Sequence, residues 1–144
     1  MFEKILLGYD GSPYSEKALT YAVDLAKNYK SRLTIVCAIH IPNFSDSRDE
    51  INGTLDDAKA YYKDILEEAK RKAMEFGINV DTRIIPGHPA EILMHIAEKE
   101  SYNLIVVADK GMGGVKRFLM GSISEAVVRY ARCPVLIIKA SKTE

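Results

Sequence analysis

A regular alternation of short apolar runs with amphipathic helical stretches constrains this chain more than any other feature of its sequence. Lys4-Ile5-Leu6-Leu7-Gly8-Tyr9-Asp10 is a mostly continuous apolar run, as expected of a strand over residues 4–10 that is covered on both faces. It ends at Asp10-Gly11-Ser12-Pro13, where Ser12 suits an N-cap and Pro13 a first helical position. Ala18, Ala22, Leu25, Ala26 and Tyr29 then recur at helical spacing, which predicts a first helix to about residue 29. Leu33-Thr34-Ile35-Val36-Cys37-Ala38-Ile39 reads as a second buried strand, followed by Pro42 and a polar surface loop running to Gly53.

The pattern repeats along the rest of the chain. Leu55, Ala58, Tyr62, Ile65, Leu66, Ala69, Ala73 and Phe76 form an apolar stripe opposite Asp56, Lys59, Lys63, Glu67 and Lys70, predicting a second helix over 54–76 that Gly77 stops. Residues 79–86 carry a third strand interrupted by Asp81 and Arg83, hence a candidate sheet edge. Gly87-His88-Pro89 introduces a third helix marked by Ile92, Leu93, Ile96 and Ala97. A fourth strand over 103–109, a fourth helix over 122–131 and a fifth strand over 135–139 complete the order. Alternating strands and helices imply parallel pairing through right-handed crossovers, so the expected fold is α/β, a doubly wound five-stranded parallel sheet of Rossmann-like or flavodoxin-like order. Ligands of such sheets bind outside the carboxyl ends of the strands where the strand order reverses. Strands one and four would flank that point, setting the Asp10 turn against the loop after strand four.

With 144 residues the chain fits a single domain over 1–144, long enough to bury a core without metals or disulfides. Twenty basic residues balance twenty acidic ones, so no global charge draws it to nucleic acid or to an anionic membrane. The N-terminus has no basic leader and no apolar run approaches a membrane span of about 18 residues, making a soluble cytoplasmic protein the expectation. Cys37 and Cys133 read as core thiols, and His40, His88 and His95 lack metal-site spacing.

The loop after strand four opens with Asp109-Lys110-Gly111-Met112-Gly113-Gly114 and continues through Lys116 and Arg117 to Gly121-Ser122 at the start of a helix. Glycines let the backbone approach a ligand closely, and the N–H groups and positive end of the following helix favour an anion. The loop is not the G-x-x-x-x-G-K-[ST] arrangement. Ser122-Ile123-Ser124-Glu125 also matches a capping box, giving Ser122 either a capping or a phosphate-contacting role. Asp10 could hold a ribose hydroxyl or a metal, or serve as an ordinary turn residue. A phosphoacceptor role would want a second acidic residue beside Asp10, where Tyr9 stands, and a lysine after strand five, whereas Lys139 lies at the wrong end.

The combination resembles the universal stress protein family: a first strand ending in Asp10-Gly11-Ser12, Gly87-x-Pro89 before helix three, the glycine loop, and Cys133-Pro134-Val135-Leu136-Ile137-Ile138 at the end. The ATP-binding branch of that family carries G-x₂-G-x₉-G-[ST], whose second half matches Gly111 and Gly121-Ser122; Ala108 stands in place of the first glycine. The resemblance implies strand order 3-2-1-4-5. It implies ATP with Mg²⁺ or Mn²⁺ as cofactor, adenine and ribose held by Asp10 and Ala38, and phosphates at Gly111, Gly121, Ser122, Ile123 and Ser124. Gly8 and Tyr9 would line the same turn, and Ala108, Asp109 and Lys110 would wall the ribose and α-phosphate side. It further implies a homodimer through strand 135–139, whose bare apolar edge a second copy would cover. The expected function is that of an ATP-binding regulatory module with at most slow hydrolysis. The alternatives are a structural or signalling dimer of the same fold without nucleotide, and an adenine-nucleotide hydrolase-like enzyme, which would want a Ser-Gly-Gly-x-Asp-Ser loop that Gly8-Tyr9-Asp10-Gly11-Ser12 does not supply.

Overall fold

The structure, a computed structural model, describes residues 1–39, 48–110 and 122–140. Its elements follow one another as β1 (Lys4–Gly8), α1 (Pro13–Tyr29), β2 (Arg32–Ile39), α2 (Arg48–Met74), β3 (Asn79–Pro86), α3 (Pro89–Lys99), β4 (Leu104–Ala108), α4 (Ser122–Tyr130) and β5 (Val135–Ile138). All strand pairs are parallel and the sheet order is β3-β2-β1-β4-β5, as the sequence predicts. The interrupted strand β3 lies on one edge and β5 on the other.

Central β1 is covered on both faces, which is why its run is continuously apolar. Ile5 and Leu7 join α1 and the Leu66, Ala69 and Ala73 face of α2 in one cluster. Leu6 points the other way, into a cluster with Leu93, Ile96 and Ala97 of α3 and Val127 of α4. Beneath the second cluster, the Thr34 and Tyr102 hydroxyls share a buried hydrogen bond of 2.7 Å. Cys37 and Cys133 are both free thiols.

Boundaries agree with the sequence to within a residue or two except at α2. The structure corrects its start from 54 to Arg48 and its end from 76 to Met74. Apolar periodicity locates only the part of a helix that packs, and among the described side chains of α2 none before Leu66 is buried. Gly53, read as part of a loop, is a helical residue with nothing within 4 Å of its would-be side chain. At the other end the chain tightens into a turn, with Gly77 N–H donating to Met74 O at 2.9 Å, and Phe76 emerges exposed beside the Lys27 cation. A helix over 122–131 is likewise one residue too long, and it contains Ser122.

The C-terminal end of α3 is tied to the β3 edge by Arg83, whose two terminal nitrogens donate to the Glu100 carboxylate at 2.6 and 2.7 Å. That bond holds the Glu100 carboxyl below the usual glutamate range. A carboxyl depressed on folding contributes stability above its unfolded pKa of about 4.3 and loses that contribution as pH falls through the lower folded value. Glu100→Gln is therefore expected to flatten the acid limb of the urea-unfolding free energy between about pH 5 and pH 3. Because both groups are partly solvated, the difference should stay under about 1 kcal/mol.

Candidate functional site

The strand order reverses between β1 and β4, so the turn after β1 and the segment after β4 open onto the same end of the sheet. The turn after β1 is tightly built. Tyr9 N–H still donates to Val36 O at 2.9 Å, after which Gly11 takes a positive φ of 82°. Ser12 caps α1, its hydroxyl accepting from Ser15 N–H at 3.2 Å, with Pro13 in the first turn. The Asp10 carboxylate is held by two donors on the same oxygen, the Ser12 N–H at 2.8 Å and the Ser15 hydroxyl at 2.9 Å, while the Asp10 N–H donates back to Ser15 Oγ at 3.3 Å. The cap serine and the buried Ser15 thus fix the orientation of Asp10 at the carboxyl edge of the sheet.

The side chains beside Asp10 are in their neutral forms. Tyr9 turns into the α1/α2 cluster and donates its hydroxyl to Glu16. Burial, reinforced by Glu16 and Asp10, raises its phenol well above the ordinary value. Burial, with the Asp10 charge adding to it, pushes the Cys37 thiol up to about 12. Neither is a nucleophile or a base at neutral pH. Gly8 has its own reason to be glycine: a side chain there would come within 2.8 Å of Leu93 Cδ1 and 3.2 Å of Val107 Cγ1. Its missing Cβ is space that α3 already occupies.

On the β4 side, Ala108 is half-buried and its methyl packs against the α1/α2 cluster. Asp109 links strands: its N–H donates to Ile138 O at 3.0 Å and its carboxylate accepts from Ala140 N–H at 3.0 Å. Lys110 is largely buried, its ammonium 5.7 Å from the centre of the Tyr14 ring in the first turn of α1. This cation–π contact spans the two segments. Ala38 is half-buried at the end of β2 opposite Ile85, and Gly87, with φ 139°, donates its N–H to Ile39 O at 2.8 Å. In α4, Ser122 is exposed, Ile123 packs on the α3/α4 cluster and Ser124 is buried. Gly111 and Gly121, with the remainder of the loop between them, lie outside the described residues, as does His40.

The structure therefore brings Asp10, Ala108, Asp109 and Lys110 to one end of adjacent strands, with Ala38 one strand further out. The sequence pattern did not reveal that Ser15 and Tyr14 belong to this neighbourhood. Their positions in the first turn of α1 are the signal that could have found them. Among the described residues no group of three or more His, Cys, Asp or Glu side chains could hold a metal ion, and no helix is long and apolar enough to cross a membrane.

A five-stranded all-parallel sheet whose order reverses between β1 and β4, with Asp10 and Lys110 in the segments that follow those strands, defines a doubly wound α/β domain. The universal stress protein family profile matches residues 1–139, and the chain belongs to that family. It is 35% identical to the universal stress protein YxiE of Bacillus subtilis, over 96% of this chain and 100% of that one. The universal stress protein UspA of Lactobacillus plantarum superposes with a TM-score of 0.89 at 25% identity, covering 95% of this chain and 97% of that one. A universal stress protein solved in complex with cAMP superposes with a TM-score of 0.76 at 26% identity, covering 97% and 98% of the two chains.

The Asp10 turn makes a backbone demand that can be measured. Alanine at Gly11 would adopt a left-handed conformation and bring its Cβ to 3.2 Å from Ile65 Cγ2. Gly77 has a similar φ of 76° with nothing within 4 Å. Gly77→Ala is expected to cost about 1 kcal/mol in urea unfolding. Gly11→Ala should cost more, about 2 kcal/mol.

Proposed function

We propose that this chain is an ATP-binding regulatory module of the universal stress protein type that works as a homodimer. The observation that carries the reading is the meeting of the Asp10 turn with the end of β4 at the reversal of strand order, bridged by Lys110 over Tyr14. The residues suit an adenine nucleotide. Asp10 is a pre-oriented acceptor for a pair of ribose hydroxyls, and the small side chains Ala38 and Ala108 at the strand ends let a ligand approach the backbone. The binding of cAMP by a related protein of the same fold supports an adenine nucleotide as the ligand class.

In this reading Asp10 takes the ribose, Ala38 borders the adenine, and Ala108, Asp109 and Lys110 wall the ribose and α-phosphate side. Gly111, Gly121, Ser122, Ile123 and Ser124 receive the phosphates, through backbone N–H groups and hydroxyls at the start of α4. Gly8 and Tyr9 contribute the strand end beneath the nucleotide, their side-chain positions being committed to Leu93 and Glu16. A bound Mg²⁺ or Mn²⁺ would neutralise phosphate charge. Phosphoryl transfer to water also needs a group that orients or deprotonates the water. Tyr9 and Cys37 are held neutral beside Asp10, which favours binding with at most slow hydrolysis. At the opposite edge, half-buried Val135, Leu136 and Ile137 on β5 leave an apolar strand edge that a second copy would cover.

Calorimetry with Mg-ATP is expected to give saturable binding that Gly121→Val abolishes, by blocking approach to the backbone, and that Asp10→Asn weakens about tenfold, the loss of one charge-assisted hydrogen bond. Absence of heat at millimolar ATP would overturn the nucleotide reading in favour of a dimer that binds none. Sedimentation is expected to give a dimer for the unaltered chain and a monomer for Ile137→Lys, because a charge on the edge strand opposes pairing with a second copy.

A further inference from the structure

We infer that Tyr62 of α2 is a ligand-contacting residue of this site, its ring covering the base end of the bound nucleotide where α2 runs past the carboxyl ends of the strands. The inference rests on the nucleotide reading above and adds to it a wall supplied by an element outside the two strand-end segments.

α2 connects parallel neighbours β2 and β3, so it runs antiparallel to the strands, and moving toward its N-terminus carries it toward the carboxyl edge of the sheet. Ala73, Ala69 and Leu66 are buried against the sheet. Ile65 lies level with the Asp10 turn, because its Cγ2 is the atom that a side chain on Gly11 would meet. Tyr62 is three residues further on, about 4.5 Å higher along the helix axis, and helical side chains lean toward the N-terminus. Its ring therefore stands above the level of Asp10. There it is half-buried at the rim of the cluster that holds Tyr9 and Cys37, set edge-on to exposed Tyr61 at 5.0 Å.

Tyr62 packs on the core cluster less deeply than Leu66, four residues further along the helix. It keeps part of its surface open, on the same apolar stripe as half-buried Leu55 and Ala58. Beyond it residues 48–61 extend roughly 20 Å of helix, with open space within 4 Å of where a side chain on Gly53 would stand.

Charge decides which end of a nucleotide belongs under this ring. The Tyr62 phenol is raised by burial first, and with the Cys37 thiol neutral the negative charge acting on it is that of Asp10, which opposes phosphate on this side. Lys110 stands on the other side of Asp10, over Tyr14 of α1. A nucleotide anchored by its ribose at Asp10 is thus oriented with its phosphates toward β4 and α4 and its base toward β2 and α2. The ring offers the base a stacking surface, and the hydroxyl offers a donor and an acceptor.

The test compares Mg-ATP with Mg-tripolyphosphate, which shares the phosphates and lacks the nucleoside, on the full chain by calorimetry. Tyr62→Ala is expected to weaken Mg-ATP about tenfold while leaving tripolyphosphate unchanged, and Tyr62→Phe should keep most of the ATP affinity. Because the chain contains no tryptophan, Tyr62→Trp supplies a single reporter even if truncation to alanine disturbs folding. Its fluorescence should quench as ATP binds, whereas that of Tyr61→Trp, on the exposed neighbour, should not. ATP binding by the unaltered chain that is indifferent to Tyr62→Ala, or lost equally for ATP and tripolyphosphate, would overturn the role of Tyr62 and leave the site reading intact. An unaltered chain that binds no ATP would overturn both.

Discussion

Everything in this molecule hangs on β1 being paired on both of its edges, to β2 on one side and to β4 on the other. Parallel pairing on both sides buries both faces, which forces Ile5, Leu6 and Leu7 to be apolar in succession and sends α1 and α2 to one face, α3 and α4 to the other. It also fixes where a ligand can lie. Strand order runs away from β1 in both directions, so the crossovers leave by opposite faces and a gap opens above the central strand. Asp10 stands at that gap because it comes just after the last residues of β1, and Lys110 because it comes just after β4.

Much of this was legible in the sequence because doubly wound sheets write themselves in a simple code. Buried parallel strands read as unbroken apolar runs, and Ser12-Pro13 and Pro89 mark helix starts by rules of capping and ring geometry. Polar residues in the run over 79–86 correctly marked an edge, since a strand with one free side needs less apolar cover. The first turns of α2 were not legible, for the same physical reason in reverse. Gly53 stands there as an exposed helical residue with open space where a side chain would be, and an exposed glycine costs a helix only about 1 kcal/mol, so it is no reliable stop signal.

Site residues were legible by position more than by role. That Asp10 and the segment after β4 share one end of the sheet is a consequence of topology, and the structure bears it out. The partners of each side chain depend on packing that no spacing encodes. Gly8 suits the turn equally well as a ligand-facing glycine and as the seat of Leu93, and only the 2.8 Å approach of α3 distinguishes the two. Tyr62 belongs to a stripe that periodicity assigns to the core, and it packs against that core while remaining only half-buried, a distinction that spacing does not encode.

The double engagement of Asp109 has a consequence for how such chains can diverge. Its backbone N–H extends the pairing with β5 and its carboxylate holds the next stretch of backbone at Ala140, while its neighbours on either side, Ala108 and Lys110, stand at the carboxyl end of the sheet beside the Asp10 turn and α1. Position 109 is therefore not a spacer that drifts freely between two motif residues. An exchange there is tested twice, once by whatever occupies the gap above β1 and once by the integrity of the outermost strand. A lineage that alters this strand end through position 109 must also re-secure the sheet's edge.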